Sequence, residues 1–358
     1  MNYTVALGLD DPDLRISQQV VLSVDGERVV DCDYREDDER GSLVARLEGL
    51  APEVALERLS EFCDDCAHAH RLAFCQATEE LAGVTVPARA LALRSLVGEF
   101  ERIVSHLAAI ERLLAALNLP HQKLQFERLR ADVQAAVDQI GPGSIMQHFC
   151  VLGGVAHSLN DETRSTLAAR QSELAARLYD MIDTLIDQRA LLAATAEVGT
   201  LSQEAAQAFM VRGPLARASN LQVDVRKDSP YAFYDQLDMR VVSQEGGDVY
   251  ARLMVLALES YESFKLIEQI LANLPEGDWK VAFPDTLPSG TAQAHVEAPR
   301  GELVYSVSSN GRHITAVQVD APRQIDRLLA RTFLIGALID DIPLIMVSLD
   351  VCPSCNKI

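Results

Sequence analysis

Residues 90–117 read ALALRSLVGEFERIVSHLAAIERLLAAL, and the spacing of their apolar positions decides the fold class. Leu93, Leu96, Val97, Phe100, Ile103, Val104, Leu107 and Ile110 recur every three or four residues, which on a helix makes one buried stripe. Outward from this segment the pattern repeats over Leu124 to Ile140, until Gly141-Pro142-Gly143 ends it. Asn160-Asp161 is a cap-like opening for a third helix through Leu167, Leu174, Leu178, Met181, Ile182 and Leu185. A fourth runs from about Val249 to Leu274 and stops at Pro275-Glu276-Gly277. Long helices with short connections predict a bundle.

The flanks read differently. Val20, Leu22 and Val24 alternate, Asp25-Gly26 is a hairpin turn, and Arg28 to Val30 return, while Asp31 to Gly41 reads as an acidic, solvated loop. Beyond Pro284, Glu302 to Val307, the Asn310-Gly311 turn and Thr315, Val317 and Val319 predict a second hairpin. A last helix near Gln324 to Leu338 leads to an apolar, strand-like run. The expected architecture is α+β, a long-helix bundle core flanked by small antiparallel sheets. It would form one domain over 1–358: a β region at 1–50, a helical core at 51–283, and a hairpin, helix and metal-binding tail at 284–358.

The 358 residues are ample for a dry core, and 48% apolar with 23% charged residues is globular composition. Asp and Glu number 52 against 32 Lys and Arg, a formal charge of −20, which argues against nucleic acid or an anionic membrane surface as the main partner. Met1 to Gly8 shows no basic segment followed by an apolar stretch, so no secretory signal is expected. The most apolar span, Phe333 to Leu349, is cut by Asp340 and Asp341, so attachment to a membrane is expected only through partners.

Four of the seven cysteines form two C-x-x-C pairs near opposite ends of the chain, Cys63/Cys66 and Cys352/Cys355. Each pair can present two thiolates to one metal, so the fold is expected to bring the ends together. Four thiolates suit zinc, an iron–sulfur cluster or nickel. Cys75 and Cys150 lie in apolar surroundings and read as packed thiols.

His70 follows the first pair within Cys66-Ala67-His68-Ala69-His70-Arg71, and the second pair is preceded by Ser348-Leu349-Asp350-Val351. Between them come Glu101-Arg102-Ile103-Val104-Ser105-His106-Leu107, Gly213-Pro214-Leu215-Ala216-Arg217, Arg226-Lys227-Asp228-Ser229-Pro230-Tyr231, Gly247-Asp248-Val249-Tyr250 and Glu297-Ala298-Pro299-Arg300-Gly301-Glu302. In this order, over about residues 50 to 355, the chain resembles the catalytic large subunit of nickel–iron hydrogenases. It is most similar to the energy-converting, membrane-bound branch related to the 49-kDa subunit of respiratory complex I. That subunit lacks the metal-binding cysteines and carries a Gly-Pro-Gln-His-Pro segment; here the matching stretch is Gly8-Leu9-Asp10-Asp11-Pro12.

The resemblance implies an enzyme that splits hydrogen heterolytically, or reduces protons, at a nickel–iron centre whose iron carries carbon monoxide and cyanide. Cys63 and Cys352 would be terminal nickel ligands, Cys66 and Cys355 would bridge the two metals, and Cys352 would take the proton. Arg300, beside Pro299, and Ser348 would bond the cyanides; Asp350 would pair with Arg300, and His70 would bond a bridging cysteine. His106 reads as structural, and Arg217, Arg226 and Asp228 as a polar network.

Electrons would pass to an iron–sulfur small subunit, and through it to ferredoxin or a similar carrier, since iron–sulfur clusters are expected only in partner subunits. Membrane subunits of a complex I-like assembly would hold the chain peripherally on the cytoplasmic face of the membrane. Three departures stand against the family pattern. Glu61 and Asp64 replace an Arg and a Gly around the first cysteine, Leu43 stands at the proton-relay glutamate, and Asp320 replaces the Arg of an Arg-x-Pro segment. Glu48 and the acids of Glu36 to Glu39 are substitute relay candidates. The resemblance also raises a C-terminal extension removed after metal insertion, of which Asn356 to Ile358 would be the mature remainder. The alternatives are a complex I-like coupling subunit without nickel, and a structural zinc protein.

Overall fold

The computed structural model describes residues 2–6, 18–36, 42–322, 325–352 and 354–355. Its principal helices are α1 (Ala67–Ala82), α2 (Ala88–Ala116), α3 (Pro120–Val137), α4 (Asp161–Ile186), α5 (Gly213–Ala218), α6 (Val249–Ala272), α7 (Arg327–Leu334) and α8 (Ile342–Ser348). Local chemistry sets several of their ends. The Asn160 side chain accepts from Thr163 N–H at the start of α4, and Asp248 accepts from Ala251 N–H at the start of α6. Pro120 opens α3, where a missing N–H costs nothing.

Helix α2 is the central strut. Its apolar stripe is buried except for the half-buried Val104, and it packs most extensively against α6 and α3. The opposite face is buried as well and carries Arg94, Glu99, Glu101, Arg102 and His106. Such a face is stable only when each charge meets a partner.

Among the described residues, three antiparallel sheets lie around this bundle: β1-β2-β3 (Asn2–Ala6, Gln18–Asp25, Arg28–Glu36), the short pair β4-β5 (Cys150–Val151, Gly154–Val155), and β6-β7-β8 (Ser289–Ala298, Gly301–Asn310, Ile314–Asp320). A helix-bundle core flanked by small antiparallel sheets, with the cysteine pairs together, is therefore the fold class, as the sequence predicts.

Three local expectations are corrected. Asp31 to Glu36 is strand rather than loop, because Cys32 and Tyr34 alternate inward between the acids; Asp37 to Gly41 lie outside the described residues. Each expected hairpin gains an outer strand, β1 and β6. The last helix is confined to Arg327–Leu334, and the apolar run after it is the helix α8. Gly336, at φ +88°, lies in the turn that closes α7, and Pro343, lacking an N–H, fits a helix's first turn better than a ladder.

Pro299-Arg300 is the two-residue tip of the β6–β7 hairpin, and it docks on the start of α5. The approach is close enough to require glycine: a Cβ on Gly213 would lie 2.3 Å from the Arg300 carbonyl oxygen, and one on Gly301 would lie 2.8 Å from Gly213 N.

Candidate metal centre

Helix α1 begins directly after the first cysteine pair, and α8 ends shortly before the second. Because α1 packs on β6 and β7 while α8 packs on α2 and α6, the two chain ends meet over the core. The four thiols form a cage: Cys63 to Cys66 is 3.1 Å, Cys66 to Cys355 is 3.3 Å, Cys63 to Cys352 is 3.5 Å and Cys63 to Cys355 is 3.9 Å. All four are buried, and all sulfurs lie within 4.8 Å of one another.

Each cysteine pair is held from behind. Cys66 caps α1 without a side-chain bond of its own; instead Glu101 of α2 accepts from His68 N–H at 2.7 Å and from Ala69 N–H at 3.0 Å. A carboxylate from another helix thus does the capping, and burial pushes that group up to about 8 despite its two N–H donors. His70, fully buried, lies 2.7 Å from the Tyr305 hydroxyl through Nδ1 and 3.4 Å from Cys355 Sγ through Nε2. A neutral imidazole satisfies both: Tyr305 donates to Nδ1 and Nε2–H donates to the sulfur. Burial pushes His70 down to about 4, which favours that neutral form.

Arg300, 4% exposed, reaches toward the cage from the hairpin tip. It donates through Nε to the Asp350 carbonyl at 2.8 Å, and its guanidinium meets the carboxylates of Asp350 at 3.0 Å and Asp65 at 3.1 Å. Asp350 also accepts from Arg112 at 2.5 Å and has φ +49°, a left-handed turn that Asp tolerates better than most residues. Hydrogen bonds from Cys355, Cys63 and Cys66, with the Arg300 charge beyond them, hold the Cys352 thiol well below its ordinary range.

Ser348 accepts from Arg252 at 2.7 Å and donates to the Ile345 carbonyl at 2.6 Å. Pro299 is buried in the hairpin tip. Arg252, Arg300, Ser348 and Asp350 line a cavity of about 20 Å³, walled on its apolar side by Leu215 and Leu256.

The donor set fits a metal. Four sulfurs around one tetrahedral ion, with bonds of about 2.3 Å, stand about 3.8 Å apart; the spacings here run from 3.1 to 3.9 Å, so a small outward movement of the thiols would admit an ion. The neighbouring arginine, carboxylates and cavity are more than a closed structural site uses.

The comparisons with known proteins agree with this geometry. Over 99% of both chains, the protein is 31% identical to the carbon monoxide-induced hydrogenase of Rhodospirillum rubrum. The chain belongs to the superfamily of hydrogenase large subunits and the complex I 49-kDa subunit. The family described as the respiratory-chain NADH dehydrogenase 49-kDa subunit matches residues 124–287. An NADH-quinone oxidoreductase subunit of Herpetosiphon aurantiacus is 29% identical over 97% of this chain and 96% of its own. Among solved structures, a chain of the membrane-bound sulfane sulfur reductase, an archaeal respiratory membrane complex, superposes with a TM-score of 0.88. That match has 25% identity and covers 100% of this chain and 98% of the other.

Membership in this superfamily makes the chain oxidoreductase-like, with a cysteine cluster able to bind metal. Sequence reading missed Asp65, Glu101, Arg112, Arg252 and Tyr305, whose roles depend on contacts between distant segments. Tyr305 alone had a local sign, since it alternates with the polar Ser306 and Ser308 on a strand.

The expected polar network is larger than foreseen: Asp224, Glu99, Glu259 and Glu297 are its buried acids, and Asp228, at its edge, accepts from Asp224 N–H at 2.9 Å. Arg217 joins Glu259, Glu297 and Asp224; Arg226 joins Asp224 and Glu99; His106 meets Glu259 at 3.0 Å; Asp228 is exposed. Cys75 and Cys150 are fully buried. Glu48 is exposed in a turn, and Asp320 pairs with Arg212 at 2.9 Å. The side chains of Glu36 and Leu43, and all of Gly8 to Pro12, Pro353 and Asn356 to Ile358, lie outside the described residues.

Proposed function

We propose that this chain is the catalytic large subunit of an energy-converting nickel–iron hydrogenase. The observation that carries the reading is the buried cage of four thiols with the Arg300–Asp350 pair at its edge. Cys63, Cys66, Cys352 and Cys355 would hold nickel and iron, with carbon monoxide and cyanide on the iron. When bound, that centre supplies the Lewis acidity that polarises hydrogen and the redox capacity that accepts its electrons.

The chain's own part is to position groups and carry the proton. Cys352 Sγ is the proton acceptor in this reading: hydrogen bonds from Cys355, Cys63 and Cys66, with the Arg300 charge behind them, keep it as the thiolate that can take a proton. Arg300 is oriented by two carboxylates and the Asp350 carbonyl, so its fork is fixed before any ligand arrives. His70, locked by Tyr305, fixes the orientation of Cys355. Ser348, in the cavity lining, and Pro299, beside Arg300 in the hairpin tip, would be the neighbours of the cyanides.

Cys32, Cys75 and Cys150 stand apart from the cage, so electrons leave through an iron–sulfur small subunit, and ferredoxin or a similar carrier lies beyond it. No helix among the described residues is long and apolar enough to cross a membrane. Membrane subunits of a complex I-like assembly would therefore hold the chain on the cytoplasmic face, an arrangement supported by its likeness to a chain of a respiratory membrane complex.

Hydrogen-dependent dye reduction by the intact complex tests the reading. Cys352→Ser should abolish it while the chain stays folded and assembled; normal turnover in that variant overturns the assignment. The likeness to a sulfane sulfur reductase chain favours one second reading, the same cage without hydrogen turnover. It predicts a wild-type complex that reduces sulfane sulfur and leaves hydrogen untouched.

A further inference from the structure

Among the described residues, seven arginines are buried, and six of them meet a carboxylate within 4.0 Å: Arg71, Arg94, Arg102, Arg217, Arg226 and Arg300. Arg252, 2% exposed, does not. Its guanidinium donates to Ser348 Oγ at 2.7 Å, to the Gly247 carbonyl at 2.9 Å and to the Gly199 carbonyl, and it lies 4.8 Å above the Phe333 ring. Its Nε has no hydrogen-bond partner among the described residues. Asp248 acts on it electrostatically, but that carboxylate is engaged by Ala251 N–H and Glu197 N–H. Burial, only partly offset by Asp248, pushes the guanidinium down to about 9, an unusual cost for an arginine.

A buried cation this poorly compensated calls for negative charge from something the chain does not supply. The place for it is next door. Arg252 lines the 20 Å³ cavity with Ser348 and Arg300, so two guanidiniums face a space suited to a molecule of about one water's size. The Ser348 hydroxyl accepts from Arg252 and spends its own hydrogen on the Ile345 carbonyl, which fixes its rotamer toward that cavity wall.

We propose that Arg252 is a positioning residue of the metal centre: through Ser348 it sets the wall facing a small anionic ligand, and its charge, without a carboxylate in direct contact, withdraws electron density from that ligand. This rests on the nickel–iron reading, in which the ligand is an iron-bound cyanide. Weaker cyanide donation leaves the iron with less density to push into carbon monoxide.

The test is the infrared spectrum of the complex purified from its native host, with nickel and iron quantified alongside. Arg252→Met should keep the metals, shift the carbon monoxide band to lower frequency by several wavenumbers and move the cyanide bands. Arg252→Lys, which keeps the charge on a shorter donor, should return the carbon monoxide band most of the way. An Arg252→Met complex that keeps the metals with unmoved bands overturns the proposal. If Arg252→Met loses its metals, Arg252→Lys decides: metals kept with the carbon monoxide band below its wild-type frequency supports the role, whereas metals kept with an unmoved band, or a folded Arg252→Lys chain without metals, overturns it, since the charge alone should preserve the site. Wild-type complex lacking carbon monoxide and cyanide bands would instead overturn the nickel–iron reading.

Discussion

Arg300 makes its contacts with a planar fork, one nitrogen on a carbonyl and others on two carboxylates. Lysine carries the charge but not the fork. Arg300→Lys should therefore lower hydrogen-dependent dye reduction by about 100-fold or more, with nickel content unchanged. Unchanged turnover would remove Arg300 from the chemistry. Tyr305 acts one step further out. Tyr305→Phe deletes the hydroxyl that satisfies His70 Nδ1 in a fully buried place and should cost roughly 1–3 kcal/mol in a denaturant titration. A variant as stable as the wild type would show that His70 is held by packing alone.

At the scale of elements, the centre depends on two joints: α2 capping α1 through Glu101, and the β6–β7 tip docked on α5 through paired glycines. Glu101→Ala leaves two buried N–H groups unmet at the helix that starts from Cys66. It should lower the thermal midpoint and reduce bound metal together; metal loading unchanged at a lower midpoint would separate the cap from the cage. These joints also mark what the sequence could and could not show. The stripe over Leu93 to Ile110, the cap at Asn160 and the two cysteine pairs are periodic or local signals, and they lead directly to the bundle and the cage. Glu101 on His68, Arg112 on Asp350 and Arg252 on Ser348 join residues far apart in sequence. No spacing rule reports such contacts. Asp31 to Glu36 misled for a related reason: the acids there outweigh the inward alternation of Cys32 and Tyr34, which a neighbouring strand makes decisive.

At the scale of the whole molecule, buried ionisable groups set the response to acid. Burial keeps His68 neutral, down to about 3, and lowers His106 as well. Their folded values lie below the unfolded value of about 6.5, so the unfolded chain binds more protons below that pH and stability falls as the pH drops through it. Burial would raise Glu259, but Arg217 and His106 hold it far below its ordinary range, which adds a further loss below about pH 4.3. Glu101, pushed up to about 8, opposes this by taking its proton inside the fold, but three buried histidines outnumber it, so the urea midpoint should be lower at about pH 5 than at neutrality. An identical midpoint would mean that these histidines are charged inside the fold.

The central claim is the identity of what the four sulfurs hold. Nickel, iron and zinc should be quantified per chain in the complex purified from its native host. About one nickel per chain, with iron in excess because partner subunits carry clusters, is the expected result. Zinc alone, or no metal at Cys63, Cys66, Cys352 and Cys355, would contradict the account and leave a hydrogenase-like fold serving as a scaffold.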